Sequence, residues 1–239
     1  MPSPDVVLAL HGVQKDYHGL RPLRVQHLEV REGERVALLG FDRVASEVLA
    51  SLTTGATLPD AGDVHAFGTL TRAVTDADEW LAAMHRFGIL SERVVLLESF
   101  SVEQNLALPF SLEIDDIPVD IRGKVRALAE EVGLEADTLT KAVGGLAPHA
   151  LLRVRLGKAL ALQPRVLLAE HPNASLLAGE TSRFAADLAR VAARRQMAVV
   201  LTTADLAFAR AVSSRVLTLR PSTGELMPSG RWREWLTRR

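Results

Sequence analysis

The chain has 239 residues, 48% of them hydrophobic and 24% charged, with a formal net charge of -1 at pH 7. That is enough chain to bury one large core or two small ones, and the charge gives no general attraction to nucleic acid or anionic lipid. Cysteine is absent, which excludes disulfides, thiol catalysis and thiolate metal sites.

In chain order, MPSPDVVLAL lacks the basic start and long apolar stretch of a secretory signal, and no apolar run approaches the ~20 residues that span a bilayer. A cytoplasmic protein is expected. Residues 6–13 (VVLALHGV) and 35–39 (RVALL) read as strands. Between 38 and 47, LLGFDRVASE hands a strand over to a helix. Gly55, Pro59-Asp60 and Gly62 are turn chemistry ahead of a short β-run. From about 101 to 162 the pattern is helical with no obvious strand, and Ile121, Val125, Leu128, Ala129 and Val132 recur at helical spacing. Three more strands follow, at 166–169, 198–203 and 215–219, with a helix marked by Phe184, Leu188, Val191 and Ala192. Continuous apolar strands suit a parallel sheet covered on both faces, and the alternation of strand and helix predicts an α/β fold. At 231–239 (RWREWLTRR), Trp232, Trp235 and Leu236 share a helical face. Two readings stand: a closing helix on the core, or a basic amphipathic helix against membrane or partner.

The ordered set of local patterns resembles the nucleotide-binding subunit of ATP-binding cassette (ABC) transporters over nearly the whole chain. The segments that carry it are TGATLPDAGDV at 54–64 with Gly68, FGILSE at 87–92, SVEQNLALP at 101–109, RVRLGKALALQP at 153–164, VLLAEHP at 166–172 and VLTTAD at 200–205. The resemblance implies one nucleotide-binding domain over 1–239, α/β in class, with a P-loop NTPase-like sheet core. It places the core and an antiparallel β subdomain in 1–90 and 163–239, with a helical subdomain inserted at about 91–162.

The same resemblance assigns the chemical positions. A phosphate loop reads G-x-x-x-x-G-K-[ST], its backbone N–H groups cradling phosphate, its lysine neutralising it and its hydroxyl holding Mg2+. Here Gly40 fills the first position, Ala45 the second glycine, Ser46 the lysine and Glu47 the hydroxyl residue. Loss of the lysine contact costs about 1.5–3 kcal/mol. Ala45 at a position needing positive φ adds about 1 kcal/mol. Glu47 repels phosphate by about 4 kcal/mol at ~4 Å and an effective dielectric near 20. Arg43 is the one substitute cation in the loop. Glu92 stands at the Q-loop glutamine, and Glu170-His171 stand where Asp and the catalytic Glu are expected, Glu170 being the one candidate metal ligand. His171 reads either as a base or as a strand-end histidine bonded to neighbouring backbone. Ala204 replaces the switch histidine, and Leu177 ends the D-loop in place of Asp. The signature LSGGQ maps onto Leu146, Ala147, Pro148, His149 and Ala150, with Pro148 in the first turn of a helix. Tyr17 lies at about the distance of an adenine-stacking aromatic, or is packed at a strand end.

These replacements imply a pseudo-ATPase, with ATP absent or weakly held and no secure place for Mg2+. The expected role is a structural or regulatory partner of a membrane permease or of another ATPase subunit. It would be a homo- or heterodimer on the inner face of the plasma membrane, with no nucleic-acid partner. The groove for a permease helix is assigned to Val94, Val95, Leu96, Leu97 and Phe100, continuing through 106–110. The alternatives are an unconventional ATPase using Arg43, Glu170 and His171, and a soluble scaffold without a permease.

Overall fold

The computed structural model describes residues 5–229, so the 231–239 segment lies outside the described residues. The first half runs β1 (Val6–Lys15), β2 (Leu23–Arg31), β3 (Arg35–Leu39), α1 (Arg43–Thr53), β4 (Ala61–Ala66), β5 (Thr69–Leu70), α2 (Ala77–Met84) and β6 (Phe87–Leu90). The helices α3 (Val102–Ala107), α4 (Val119–Glu131) and α5 (Pro148–Leu160) follow. The chain then forms β7 (Val166–Glu170), α6 (Ala178–Arg194), β8 (Ala198–Thr202), α7 (Leu206–Val212), β9 (Arg215–Arg220) and β10 (Glu225–Pro228).

Six strands form one sheet in the order β10-β9-β3-β8-β7-β6, parallel throughout except for the antiparallel edge strand β10. Its central strands read as continuous apolar runs because both faces are covered. Ala37, Leu167, Ala169, Val199 and Leu201 point into one core, and Val36, Leu38, Leu168, Ala198 and Val200 into the other.

The expectation for 6–13 needs correction. That run is β1, and it pairs antiparallel with β2 and β4 in a second, four-stranded sheet of order β2-β1-β4-β5. It looked like a doubly covered strand because Leu8 and Leu10 enter the core while Ala9, facing the other way, is hidden beneath its neighbours' side chains. β2 was not foreseen, although its buried Leu23, Val25, Leu28 and Val30 punctuate polar residues as a half-buried strand requires.

The helical stretch is as expected, and it shares its core with the sheet. Val102, Leu106, Val125, Leu128, Leu156 and Leu160 belong to the same cluster as the sheet's Leu167 and Leu201. Contact between α5 and β6 is close enough to need a glycine: a Cβ on Gly88 would stand 2.4 Å from the Ala159 carbonyl oxygen. Among the described residues no helix is long and apolar enough to cross a membrane.

Candidate functional site

The strand-to-helix passage at the carboxyl end of β3 is short. β3 ends at Leu39 and α1 begins at Arg43, so Gly40, Phe41 and Asp42 make the whole connection. Gly40 has φ +84°, and a Cβ there would stand 3.1 Å from the Leu219 carbonyl oxygen. Phe41 turns into the core. Asp42 caps α1, its Oδ1 accepting the Ala45 N–H at 2.7 Å. A carboxylate therefore sits at the positive end of the helix, where an anion is favoured. Residues 43–45, open loop in a phosphate-binding G-x-x-x-x-G-K-[ST], are the first turn of the helix here. Ala45 accordingly has no positive φ, and the strain expected of it does not arise.

Ser46 is buried, donates its hydroxyl to the Asp42 carbonyl at 2.8 Å and lies 3.1 Å from His171 Nε2. His171 adopts φ +43° directly after β7, and its backbone N–H donates to the Thr202 carbonyl at 2.9 Å. The backbone of this histidine is tied at the strand end, and its ring is held on Ser46.

The charges around this point are joined by a residue that did not stand out in the sequence. Arg93 donates from Nη2 to Glu170 Oε1 at 2.7 Å and from Nε to Glu170 Oε2 at 3.2 Å, while its Nη1 reaches Glu47 Oε1 at 3.1 Å. Ser91 Oγ adds a 3.0 Å bond to Glu170 Oε2. Arg43, read as a stand-in for the missing lysine, turns instead to Glu92, with Nη1 2.9 Å from Oε2. A signal for Arg93 existed: two acids, Glu47 in α1 and Glu170 at the end of β7, need a cation when they converge, and Arg93 follows the Glu92 position directly.

No protein-family model matches the chain. The phosphonates import ATP-binding protein PhnC of Anaeromyxobacter dehalogenans is 32% identical over 205 residues, covering 83% of this chain and 41% of the relative. The Fe(3+) ions import ATP-binding protein FbpC of Serratia marcescens is 27% identical over 219 residues, covering 89% and 60%. Among solved structures, cbiO1 from Clostridium perfringens, part of the ABC transporter complex cbiONQ, aligns with a TM-score of 0.79 at 19% identity over 98% of this chain and 92% of that one. A dimeric post-hydrolysis ATP-binding cassette bound to ADP and Pi aligns with a TM-score of 0.75 at 22% identity, over 92% and 96%. The chain belongs to the ABC nucleotide-binding domains. It spans about half the length of the curated relatives it matches, 41% of one and 60% of the other.

The remaining cassette positions can be placed on the same frame. Ala147 is the N-cap of α5 with no side-chain bond, and Pro148 opens the helix, the first-turn position expected of it. Leu146 and Ala150 lean on the core, and His149 Nδ1 lies 2.9 Å from Glu180 Oε1 on α6. Ala204 is exposed and offers no donor, while Leu177 is 74% exposed. Tyr17 is half-buried and lines an open cavity with Gly40, Asp42 and Ala45. Burial raises its phenol above the ordinary value, and the charge of Asp42 adds to the effect. The chain folds back on the ring: a Cβ on Gly19 would stand 2.5 Å from Tyr17 Cε2.

The expected permease groove is only partly an apolar surface. Val95 is 72% exposed, Val94, Leu96, Leu97 and Phe100 are half-buried, and Leu106 is core. The loop that carries them is fixed from below by the fully buried Asn105, whose Oδ1 accepts the Leu97 N–H at 2.8 Å and whose Nδ2 donates to the Leu97 and Ser101 carbonyls, each at 3.0 Å.

Proposed function

We propose that this ABC domain is a non-hydrolysing subunit, a structural or regulatory partner of a membrane permease or of another ATPase subunit. The observation that carries this reading is the Arg93 guanidinium bridging Glu170 and Glu47. A Mg2+ ion needs open carboxylate oxygens at about 2.0–2.1 Å in octahedral geometry, so Arg93 would first have to leave. The second support is Asp42, a resident anion on the helix terminus that would otherwise take phosphate. Its charge opposes an incoming phosphate at ~4 Å by about 4 kcal/mol at an effective dielectric near 20. With Ser46 in place of the lysine and Arg43 engaged by Glu92, these residues do not suit Mg-ATP.

The partner side rests on kinship and on surface. Both relatives are named import ATP-binding proteins, and one aligned structure is described as a dimer. A permease contact at Val95 and its half-buried neighbours would place the subunit on the cytoplasmic face of the membrane, as a homo- or heterodimer.

Calorimetric titration with ATP, with and without Mg2+, is the test. The expected result is no binding at millimolar ATP and no phosphate release. Micromolar binding with Mg2+-dependent turnover that His171→Ala removes would replace this reading with an unconventional ATPase. Recovery from detergent-solubilised membranes without any permease would replace the partner half with a soluble scaffold.

A further inference from the structure

Three of the seven histidines lie on one face of the antiparallel sheet, and the nucleotide-site positions include none of them. The registers fix their places. On β1, His11 is paired with His27 on β2 and with Asp63 on β4, while Ala9, two residues earlier, is paired with Glu29 and with His65. Cross-strand partners and residues two apart share a face. His11, His27, Glu29, Asp63 and His65 therefore ring Ala9 on the side opposite the core-facing Leu8 and Leu10. The alanine has no exposed area, so the surrounding side chains close over it.

The donor atoms converge. One ligand atom each from His11, His27 and Glu29 lies within 4.8 Å of the others. The two Nδ1 atoms of His11 and His27 are 3.2 Å apart. Two imidazole nitrogens on a tetrahedral Zn2+ at about 2.0–2.1 Å stand ~3.3 Å from each other, so this pair is spaced as co-ligands. His65 meets the His11 ring edge-on at 6.2 Å, and its Nδ1 is buried without a hydrogen-bond partner. Two imidazoles and a carboxylate are the donor set of an intermediate-softness divalent ion such as Zn2+, Ni2+ or Cu2+, and a poor one for Mg2+ or Ca2+.

We propose that His11, His27 and Glu29 form a divalent transition-metal site on the outward face of the antiparallel sheet, with His65 beside it. The ion would cross-link β1 to β2, fixing the register of the small sheet from outside. The site is independent of the nucleotide reading, since it shares no residue with it.

The test is calorimetric titration of the untagged full chain with Zn2+. One equivalent is expected to bind. His27→Gln removes an exposed side chain and leaves the core untouched; it should weaken binding tenfold or more, the loss seen even for outer-shell changes at metal sites. Glu29→Gln should act in the same direction. His85→Gln, an exposed histidine outside the cluster, should leave the affinity unchanged. Cu2+ bound to the chain should show coupling to two imidazole nitrogens by electron paramagnetic resonance, and to one in His27→Gln. Absence of saturable Zn2+ binding, or equal affinity in the wild type and a folded His27→Gln, would overturn the proposal and leave the His11–His27 contact as a hydrogen bond between the two rings.

Discussion

Arg93→Ala tests whether one guanidinium holds the strand ends together. Glu170 is 9% exposed, and without Arg93 it keeps only the Ser91 hydroxyl. A hydrogen bond to a charged group contributes about 1.5–3 kcal/mol. The Arg93 side chain is itself 48% exposed, so water replaces part of what is lost and the Glu47 contact adds little. These considerations put the expected loss at about 2 kcal/mol. A chain of 239 residues has an unfolding entropy of about 0.5 kcal/mol/K, so Tm should fall by about 4 °C. Urea unfolding of wild type, Arg93→Ala, Glu170→Gln and the double variant gives the coupling directly, expected at about 1.5 kcal/mol. A coupling below ~0.5 kcal/mol, the scatter of independent sites, would refute the claim that the pair acts as a unit.

Glu131 and Arg195 form a second, more enclosed pair, with Nε 2.8 Å from Oε1. The Arg195 hydrogen bonds, opposed by burial, hold the Glu131 carboxyl below its ordinary value of 4.5. The folded pKa is depressed, so the contribution is complete above that ordinary value and fades as pH falls through the lowered one. The stability gap between wild type and Arg195→Gln should therefore be widest near neutrality and close in acid; a gap constant down to acid unfolding would refute the assignment. Asn105→Ala should cost about 2 kcal/mol, because it orphans the Leu97 N–H and leaves the Leu97 carbonyl with the Phe100 N–H alone. Hydrogen exchange across 94–101 should rise well beyond the global change, and uniform exchange would contradict a local role.

The sheet core was legible because its strands are short apolar runs bounded by turn residues, and α4 and α6 because Val125, Leu128, Phe184 and Leu188 keep one face buried. Pro148 fixed the start of α5 for a local reason, since proline suits a first helical turn. What could not be read was partnership. Arg93 is one of many exposed arginines in a string of letters; its meaning arises only when β6 and β7 lie side by side and bring Ser91 and Glu170 together. Asp42 likewise reads as one loop residue among several until α1 starts at Arg43 and turns it into a cap. The position of β1 was misjudged because Ala9 hides under polar neighbours, a covering that no apolar pattern records.

The strand order also governs how this chain can be made. β3 occupies the middle of the six-stranded sheet, yet its neighbours are β8 and β9, which leave the ribosome more than 150 residues later. β1, β2 and β4 can pair early, because their partners are close in sequence. Throughout most of synthesis, then, an apolar strand waits with both edges bare, a template for pairing with another nascent chain. A premature stop before residue 198 removes both of its partners, so such a product is destined for aggregates or proteolysis rather than for a smaller folded protein.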